Sequence, residues 1–166
     1  MDKKTIRQII LKRRRAYNSS SSNIVINKII NSKIIDSYQN IGIYFPINNE
    51  IDITSLKQIY PNKRFYLPTA KDVLVFKEYT DELAIGAFNI PEAKGSIIDR
   101  DKIDCFFIPC VGISNDKKRI GYGKGYYDKY LNGYNGLKIG ICYKNDSNIQ
   151  CQMDEFDIIL DYIIEG

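Results

Sequence analysis

The sequence predicts an α/β fold: one three-layer α/β/α domain, residues 1–166, built around a mostly parallel sheet. Short apolar runs typical of buried strands alternate with stretches whose apolar residues recur at helical spacing. No internal repeat and no linker-like segment divides the chain. A length of 166 residues also suits a single domain with a sizeable core.

Four helices are predicted. Residues 3–17 form the first, because isoleucines recur there at helical spacing, and after a polar break a second carries Ile26 and its neighbours. Asp52 is a candidate N-cap for a third, short helix, and "YYDKYL", residues 126–131, begins a fourth.

Strands are predicted where apolar runs are bounded by turn-forming or charged residues. These runs are "NIGIYFP" (40–46), "KRFYLP" (63–68), "DVLVFKEY" (72–79), "IDCFFIP" (103–109), "LKIGICY" (137–143) and "LDYIIEG" (160–166). The run at 103–109 is apolar on both faces, which is typical of a central parallel strand. Residues 87–96 are predicted to form an irregular loop.

Composition limits the classes of function. The chain is 44% hydrophobic and 27% charged, as in ordinary globular proteins. Its apolar runs are shorter than the roughly 18 residues of a membrane span, and its first residues lack an apolar signal core, so a cytoplasmic location without membrane contact is expected. The absence of histidine excludes histidine-based catalytic triads and, with no Cys-x-x-Cys pair, argues against structural zinc.

The net charge of +4 is concentrated in a few places. Basic residues cluster at 3–4 and 12–15 in the first helix and at 116–119 before a glycine-rich stretch. Two interpretations remain open at this point: a solvated helix face with a basic loop, or a surface that binds phosphate.

The stretch "RIGYGKGYY", residues 119–127, combines glycine, lysine and tyrosine directly after the predicted central strand. It has neither the Walker A spacing nor the Rossmann spacing. Glycines nevertheless let backbone N–H groups approach an anion, and a helix that follows adds a positive N-terminal end. A surface hairpin is the alternative, but turn geometry alone explains the tyrosines and lysine poorly.

The longer segment "FFIPCVGISNDKKRIGYGKGYYDKYL", residues 106–131, resembles the signature of the 5-formyltetrahydrofolate cyclo-ligase family. Weaker similarity extends through "KKTIR" (3–7), "IYFPINNEIDI" (43–53), "FNIPEA" (88–93) and "FDIILDYIIEG" (156–166). The resemblance implies ATP-dependent cyclisation of 5-formyltetrahydrofolate to 5,10-methenyltetrahydrofolate, with release of ADP and phosphate. It implies ATP as co-substrate, Mg²⁺ as cofactor, and a monomeric enzyme that does not bind nucleic acid.

The resemblance also implies a set of site residues. Lys124 and Tyr126 would be catalytic. ATP would contact Lys3, Lys4, Thr5, Ile6, Arg7, Phe88, Arg119, Ile120, Gly121, Tyr122, Gly123, Lys124, Gly125, Tyr126 and Tyr127. The folate would contact Phe45, Glu50, Tyr122, Gly123, Lys124, Gly125 and Tyr126.

Asp128 and Asp157 match the family's magnesium-binding carboxylates. Mg²⁺ takes one or two carboxylates together with phosphate oxygens and water, so two acids near the loop are sufficient. Each residue also has a plain structural interpretation: Asp128 as an acid in the first turn of a helix, and Asp157 as an acid at a strand edge.

The sequence departs from the family pattern in a few places. Cys110 replaces the usual glycine after the strand, Ala93 replaces a proline in the central loop, and Phe156 replaces a common histidine. Two other classes of protein also stay in consideration. One is a nucleic-acid-binding protein that uses the basic first helix, and the other is a nucleotide-binding domain without catalysis.

Overall fold

The computed structural model describes residues 1–17, 20–86 and 89–166. Its helices are α1 Lys3–Arg14, α2 Ser20–Ser32, α3 Leu56–Ile59 and α4 Tyr126–Tyr130. Its strands are β1 Asn40–Gly42, β2 Arg64–Ala70, β3 Leu74–Glu78, β4 Leu83–Ile85, β5 Pro91–Ala93, β6 Ile97–Ile98, β7 Cys105–Pro109, β8 Gly112–Ile113, β9 Arg119–Ile120, β10 Leu137–Cys142 and β11 Tyr162–Glu165.

Seven of the described strands form one mixed sheet in the order β11-β10-β7-β1-β2-β3-β6. Every pairing from β11 to β2 is parallel, whereas β3 runs antiparallel to both β2 and β6. The predicted α/β class and mostly parallel sheet are confirmed. The run at 103–109 does form a central strand, β7, and all five of its residues are buried.

The two faces of the sheet bury separate apolar clusters. Along β7, Cys105 and Phe107 join a cluster with residues of α2, while Phe106 and Ile108 join a cluster with residues of α4. Successive strand residues point to opposite faces, so a strand that is apolar throughout can serve both clusters. The Phe106 ring packs against aromatic rings on its own face, with centroids 4.9 Å from Phe76 and 5.1 Å from Tyr134.

Helix α1 lies outside both clusters and packs on the residues that follow the carboxyl end of β7. The Asp2 side chain caps it by accepting a 2.7 Å hydrogen bond from the Thr5 N–H. Its buried residues Ile6, Ile10 and Arg14 recur every four positions, and the two isoleucines contact Ile120 and Val111 in a third small cluster. The helix ends at Arg14, short of the predicted Tyr17, because a turn follows.

Four basic side chains of α1 face other parts of the chain. Their acceptors are Asp154 and Asp157 for Lys3, Gly121 for Arg7, Asp146 for Arg13, and Cys110 and Val111 for Arg14. A merely solvated basic face therefore does not describe these four residues. Among the described residues, none of the helices is long and apolar enough to cross a membrane.

Two local expectations are wrong. Helix α3 begins at Leu56 with Ser55 at its N-cap position, and Asp52 instead accepts a 2.9 Å hydrogen bond from the Thr54 N–H. The segment predicted as an irregular loop contains β5, which pairs with β4 as a two-stranded antiparallel ribbon. Short strands of this kind are stabilised by their partner strand and have no periodic sequence pattern of their own.

Candidate active site

A cleft of about 660 Å³ opens beside the glycine-rich stretch at the carboxyl end of β7. The sequence suggested that this stretch follows β7 directly. In the structure the β8–β9 hairpin lies between them. The hairpin leads into residues 121–125, and α4 begins at Tyr126. The loop therefore lies at the sheet edge where parallel α/β folds bind their ligands.

Two glycines have specific roles in the loop. Gly123 has φ +101°, a conformation that side chains disfavour, and a Cβ there would stand 3.3 Å from an Arg7 nitrogen. A Cβ at Gly121 would stand 2.2 Å from Arg119 Nη1, so the side chain of Arg119 can lie along the loop only because Gly121 has none. Glycine at both positions brings backbone and guanidinium groups close together.

Arg119 is 8% exposed and is fixed from two sides. Its Nε donates a 2.8 Å hydrogen bond to the Pro109 carbonyl, and its guanidinium lies 4.7 Å from the centre of the Tyr127 ring. Burial raises the pKa of the Tyr127 hydroxyl, so the ring stays neutral beside this cation. The fixed position directs a permanent positive charge at the cleft.

Helix α1 contributes two more cations to the cleft. The Arg7 Nε donates to the Gly121 carbonyl, which ties the helix to the glycine loop. The Lys3 ammonium lies 2.6 Å from Asp154 Oδ2 and 2.8 Å from Asp157 Oδ2. Partial burial lowers the pKa of Lys3, but hydrogen bonds to the two carboxylates outweigh this and raise it. Lys3 therefore faces the acids of the cleft.

The acidic side of the cleft contains both carboxylates predicted to bind metal. Asp128 Oδ1 accepts a 3.0 Å hydrogen bond from the Ile158 N–H, and Asp157 Oδ2 accepts one of 2.6 Å from the Asp154 N–H. These are hard oxygen ligands of the type that Mg²⁺ prefers. The described residues contain no group of three or more such side chains that could hold an ion alone. A magnesium ion here would need phosphate and water oxygens as further ligands.

The structure thus brings much of the sequence-predicted set together. The predicted residues that line the cleft are Lys3, Arg7, Arg119, Gly121, Gly123, Gly125, Asp128 and Asp157. Lys4 and Thr5 are exposed on α1, whereas Ile6 and Ile120 are buried in the cluster beneath the loop. Phe88 lies outside the described residues.

Two of the predicted folate contacts, Phe45 and Glu50, do not line this cleft. Glu50 is 8% exposed, and its carboxylate accepts hydrogen bonds from the Ile47 N–H at 2.9 Å and from the Tyr122 hydroxyl at 3.4 Å. Phe45 is half-buried against Tyr79, with ring centroids 5.6 Å apart. Burial raises the pKa of Tyr122 to about 12. Its hydroxyl therefore stays protonated and can donate a hydrogen bond to Glu50.

Tyr126 and Lys124 occupy different environments. The Tyr126 ring packs on the α4 face of the core, and its hydroxyl donates a 2.9 Å hydrogen bond to the Lys71 carbonyl. Lys124 is exposed on the loop. Because the Tyr126 ring is only partly buried, it can pack against the core and still have surface left to contact a substrate.

Sequence reasoning missed several residues of the cleft. These are Lys129, Asn132, Asp154, Glu155 and Phe156. Phe156 is notable because its large apolar side chain is 79% exposed at the cleft. An acid-rich "DEFD" stretch near a predicted strand was the available signal for three of them, but nothing in its spacing distinguishes it from a solvated turn.

The buried carboxyl of Glu50 leads to a prediction about stability. Burial raises its pKa from 4.5 to about 7, so the folded chain binds this proton more tightly than the unfolded chain does. Between about pH 4.5 and 7 the folded state holds the extra proton, and the free energy of unfolding should fall as the pH rises through this window. Glu50→Gln should remove about 2–4 kcal/mol of that fall.

Chemical denaturation of wild type and Glu50→Gln at pH 5 and pH 8 checks this expectation. The exposed Glu82→Gln is the matched control and should keep the wild-type pH slope. Equal slopes for Glu50→Gln and wild type would contradict a raised pKa at Glu50.

The chain is similar to known proteins over nearly its whole length. The sequence model of the 5-formyltetrahydrofolate cyclo-ligase family matches residues 1–165. The chain is 31% identical to the 5-formyltetrahydrofolate cyclo-ligase of Mycoplasma genitalium and 30% identical to that of Mycoplasma pneumoniae. Each match covers 99% of this chain and 98% of the relative.

Solved structures give the same picture. The NMR structure of Aquifex aeolicus 5,10-methenyltetrahydrofolate synthetase superposes with a TM-score of 0.87 at 26% identity, over 99% of this chain and 90% of that one. The 5,10-methenyltetrahydrofolate synthetase of Mycoplasma pneumoniae superposes with a TM-score of 0.83 at 27% identity, over 99% of this chain and 98% of that one. The fold described above is therefore the fold of these proteins.

Proposed function

Because the chain belongs to the 5-formyltetrahydrofolate cyclo-ligase family and is an enzyme of that activity, we propose that it uses ATP and Mg²⁺ to close the ring. The whole chain, residues 1–166, works in this proposal as one cyclo-ligase domain in the cytoplasm, as a monomer and without nucleic acid. The observation that carries it is the cleft in which Lys3, Arg7 and Arg119 meet the glycine loop and two aspartates.

The proposed reaction has two chemical steps. The formyl oxygen on N5 of the folate attacks the γ-phosphorus of ATP, ADP leaves, and the formyl carbon becomes activated by its phosphate. N10 then attacks that carbon and loses its proton, and the C–O bond breaks to release phosphate. The carbon is left bonded to both nitrogens in 5,10-methenyltetrahydrofolate.

The chain's cations hold the triphosphate in this proposal. Arg119 has a fixed position and Arg7 is tied to the loop, so neither needs to be ordered when ATP binds. Lys124 is exposed on the loop and reaches the transferring phosphoryl group, and loop N–H groups add further donors. Lys4, Thr5, Ile6, Ile120 and Tyr127 support the site as the helix and loop residues beside these groups.

Asp128 and Asp157 would hold the magnesium ion. When bound, Mg²⁺ neutralises charge on the phosphate oxygens and orients them for transfer. Asp157 forms an ion pair with Lys3. In this proposal Asp157 would be a ligand of the metal and Lys3 would contact phosphate oxygens.

The folate lies on the Glu50 side of the loop in this proposal. The Glu50 carboxylate accepts hydrogen bonds from the pterin's N–H groups, and Phe45 and Tyr126 provide apolar and aromatic surface for the flat ring. Tyr122 contributes a neutral hydroxyl donor next to Glu50.

An absorbance assay for 5,10-methenyltetrahydrofolate tests the proposal directly. Purified chain with 5-formyltetrahydrofolate, ATP and Mg²⁺ should form the product together with equal amounts of ADP and phosphate. Leaving out ATP, or chelating Mg²⁺, should stop the reaction. Product formation that continues without ATP would overturn the proposed energy source.

Tyr126 gives a more specific prediction. Tyr126→Ala should raise the dissociation constant of 5-formyltetrahydrofolate by about tenfold, because the ring supplies at least about 1 kcal/mol of stacking beyond its buried area. The affinity for ATP should change much less. Calorimetric titration with each ligand measures both constants.

Tyr126→Phe is the matched control, since it keeps the ring and removes only the hydrogen bond to the Lys71 carbonyl. We expect it to bind folate like wild type. If the phenylalanine variant loses as much affinity as the alanine variant, the hydroxyl tie matters and the ring does not contact substrate.

A further inference from the structure

A buried charge cluster lies behind the proposed folate site, where α1 covers the ends of the central strands. Its central residue is Arg14, whose side chain is 1% exposed. The Arg14 Nη2 donates 2.9 Å hydrogen bonds to the carbonyls of Cys110 and Val111. Its Nε and Nη1 atoms are buried and have no hydrogen-bond partner among the described residues. A full positive charge is thus held in the interior with only part of its hydrogen-bonding capacity used.

The neighbouring acid does not balance this charge alone. Asp146 is fully buried and lies 3.9 Å from Arg14, but its carboxylate also accepts from Arg13 and from the Tyr17 hydroxyl. The buried Arg14 therefore shares this carboxylate with Arg13, which is 43% exposed, and the Asp146 oxygen nearer to Arg14 makes no hydrogen bond to it among the described residues. A buried cation that is paired this loosely is costly unless another anion is near.

Glu50 is the nearby anion. Arg14, Glu50 and Tyr143 line one narrow internal gap that is too small to admit a water molecule. The Arg14 guanidinium also lies over the Tyr143 ring, 5.5 Å from its centre. Without water between them, the charges of Arg14 and Glu50 interact through the protein interior, where screening is weak.

Two positively charged side chains, on two different elements, act on the Glu50 carboxyl. Arg14 on α1 and Arg119 on β9 both favour its ionised form, whereas burial opposes it. The remaining titratable neighbours are hydroxyls and a thiol that stay neutral at physiological pH. They are Tyr44, Cys110, Tyr122, Tyr127 and Tyr143.

We propose that Arg14 is a positioning residue for the folate: across the dry gap its charge keeps the Glu50 carboxylate ionised, so that this carboxylate can accept the pterin's N–H groups. The inference rests on the proposed role of Glu50 in folate binding. Arg14 itself touches no substrate. It acts through Glu50, and the carbonyls of Cys110 and Val111 fix its own position.

A double-mutant cycle tests this, with binding of 5-formyltetrahydrofolate measured by calorimetry between pH 6 and 9. Arg14→Met should weaken binding about threefold near pH 7.5 and nearly tenfold at pH 6, because a rise of about one unit in the pKa of Glu50 lowers its ionised fraction by these factors. The loss should shrink toward pH 9. In a Glu50→Gln background the same Arg14→Met change should have no further effect, and ATP affinity should stay at the wild-type level throughout.

Asp146→Asn supplies a test of opposite sign that does not depend on the Arg14 variant folding. Removing this negative charge leaves the cluster more positive, so folate binding should persist to lower pH than in wild type. A shift to higher pH, or an Arg14→Met loss that is equal in both Glu50 backgrounds and independent of pH, would overturn the inference. Wild-type protein that binds no folate at all would instead overturn the proposed function.

Discussion

Asp128→Asn is expected to lower turnover about 100-fold or more while leaving the fold intact. Asparagine keeps the shape of the side chain and an oxygen that can accept the 3.0 Å hydrogen bond from the Ile158 N–H. What it removes is the negative charge that would bind Mg²⁺ beside the transferring phosphoryl group. The remaining activity should need more Mg²⁺ for half saturation.

The measurement is initial rate against Mg²⁺ concentration at saturating ATP and folate. Asp161→Asn is a close control, because Asp161 also accepts from a backbone N–H, that of Lys138, but does not line the cleft. Asp157→Asn should also lose activity, but it breaks the ion pair with Lys3 as well and is harder to interpret. If Asp128→Asn and Asp161→Asn both titrate like wild type, Asp128 has a structural role only.

Arg7→Ala should raise the dissociation constant of ATP by about 30-fold or more. A charged group held in a partly desolvated site typically contributes about 2–4 kcal/mol to binding an opposite charge. Arg7 is held in this way, since its Nε donates to the Gly121 carbonyl and its side chain lies against Gly123. The substitution removes both the charge and the tie between α1 and the loop.

Calorimetry with ATP analogues that cannot be hydrolysed separates binding from turnover. Lys12→Ala is the matched control, because Lys12 is an exposed cation on the same helix. It should bind nucleotide like wild type. Unchanged affinity in Arg7→Ala would show that the phosphates bind elsewhere, and the proposed cleft would then lose its main support.

Strands of the sheet were predictable from the sequence mainly where they are long and apolar. The run at 103–109 could be placed at the centre because it has apolar side chains for both faces, and only a strand covered on both sides can bury them. The β8–β9 hairpin was not predictable in this way. Its strands are two residues each, and they exist because they pair with one another.

The glycine loop could be identified as a candidate ligand site for a different reason, since its composition is unusual whatever the fold. Contacts between distant segments were not predictable. Lys3 and Asp157 are 154 residues apart, and no local pattern connects them. Arg14 did carry a signal, because it continues the four-residue spacing of Ile6 and Ile10 toward the interior, although its place among charged residues suggested solvent.

The ties of α1 to the last part of the chain have a consequence for how the enzyme is made. Lys3 is bound to residues 151 and 154 positions later, and Arg13 to a residue 133 positions later. Synthesis proceeds at about 5–20 residues per second, so these partners are made roughly 7 to 30 seconds after α1. Its apolar edge stays uncovered until Val111 and Ile120 have been made. The proposed nucleotide cleft therefore cannot be completed before Asp154 and Asp157 have been made, and a chain shortened before them would lack the acidic side of the cleft.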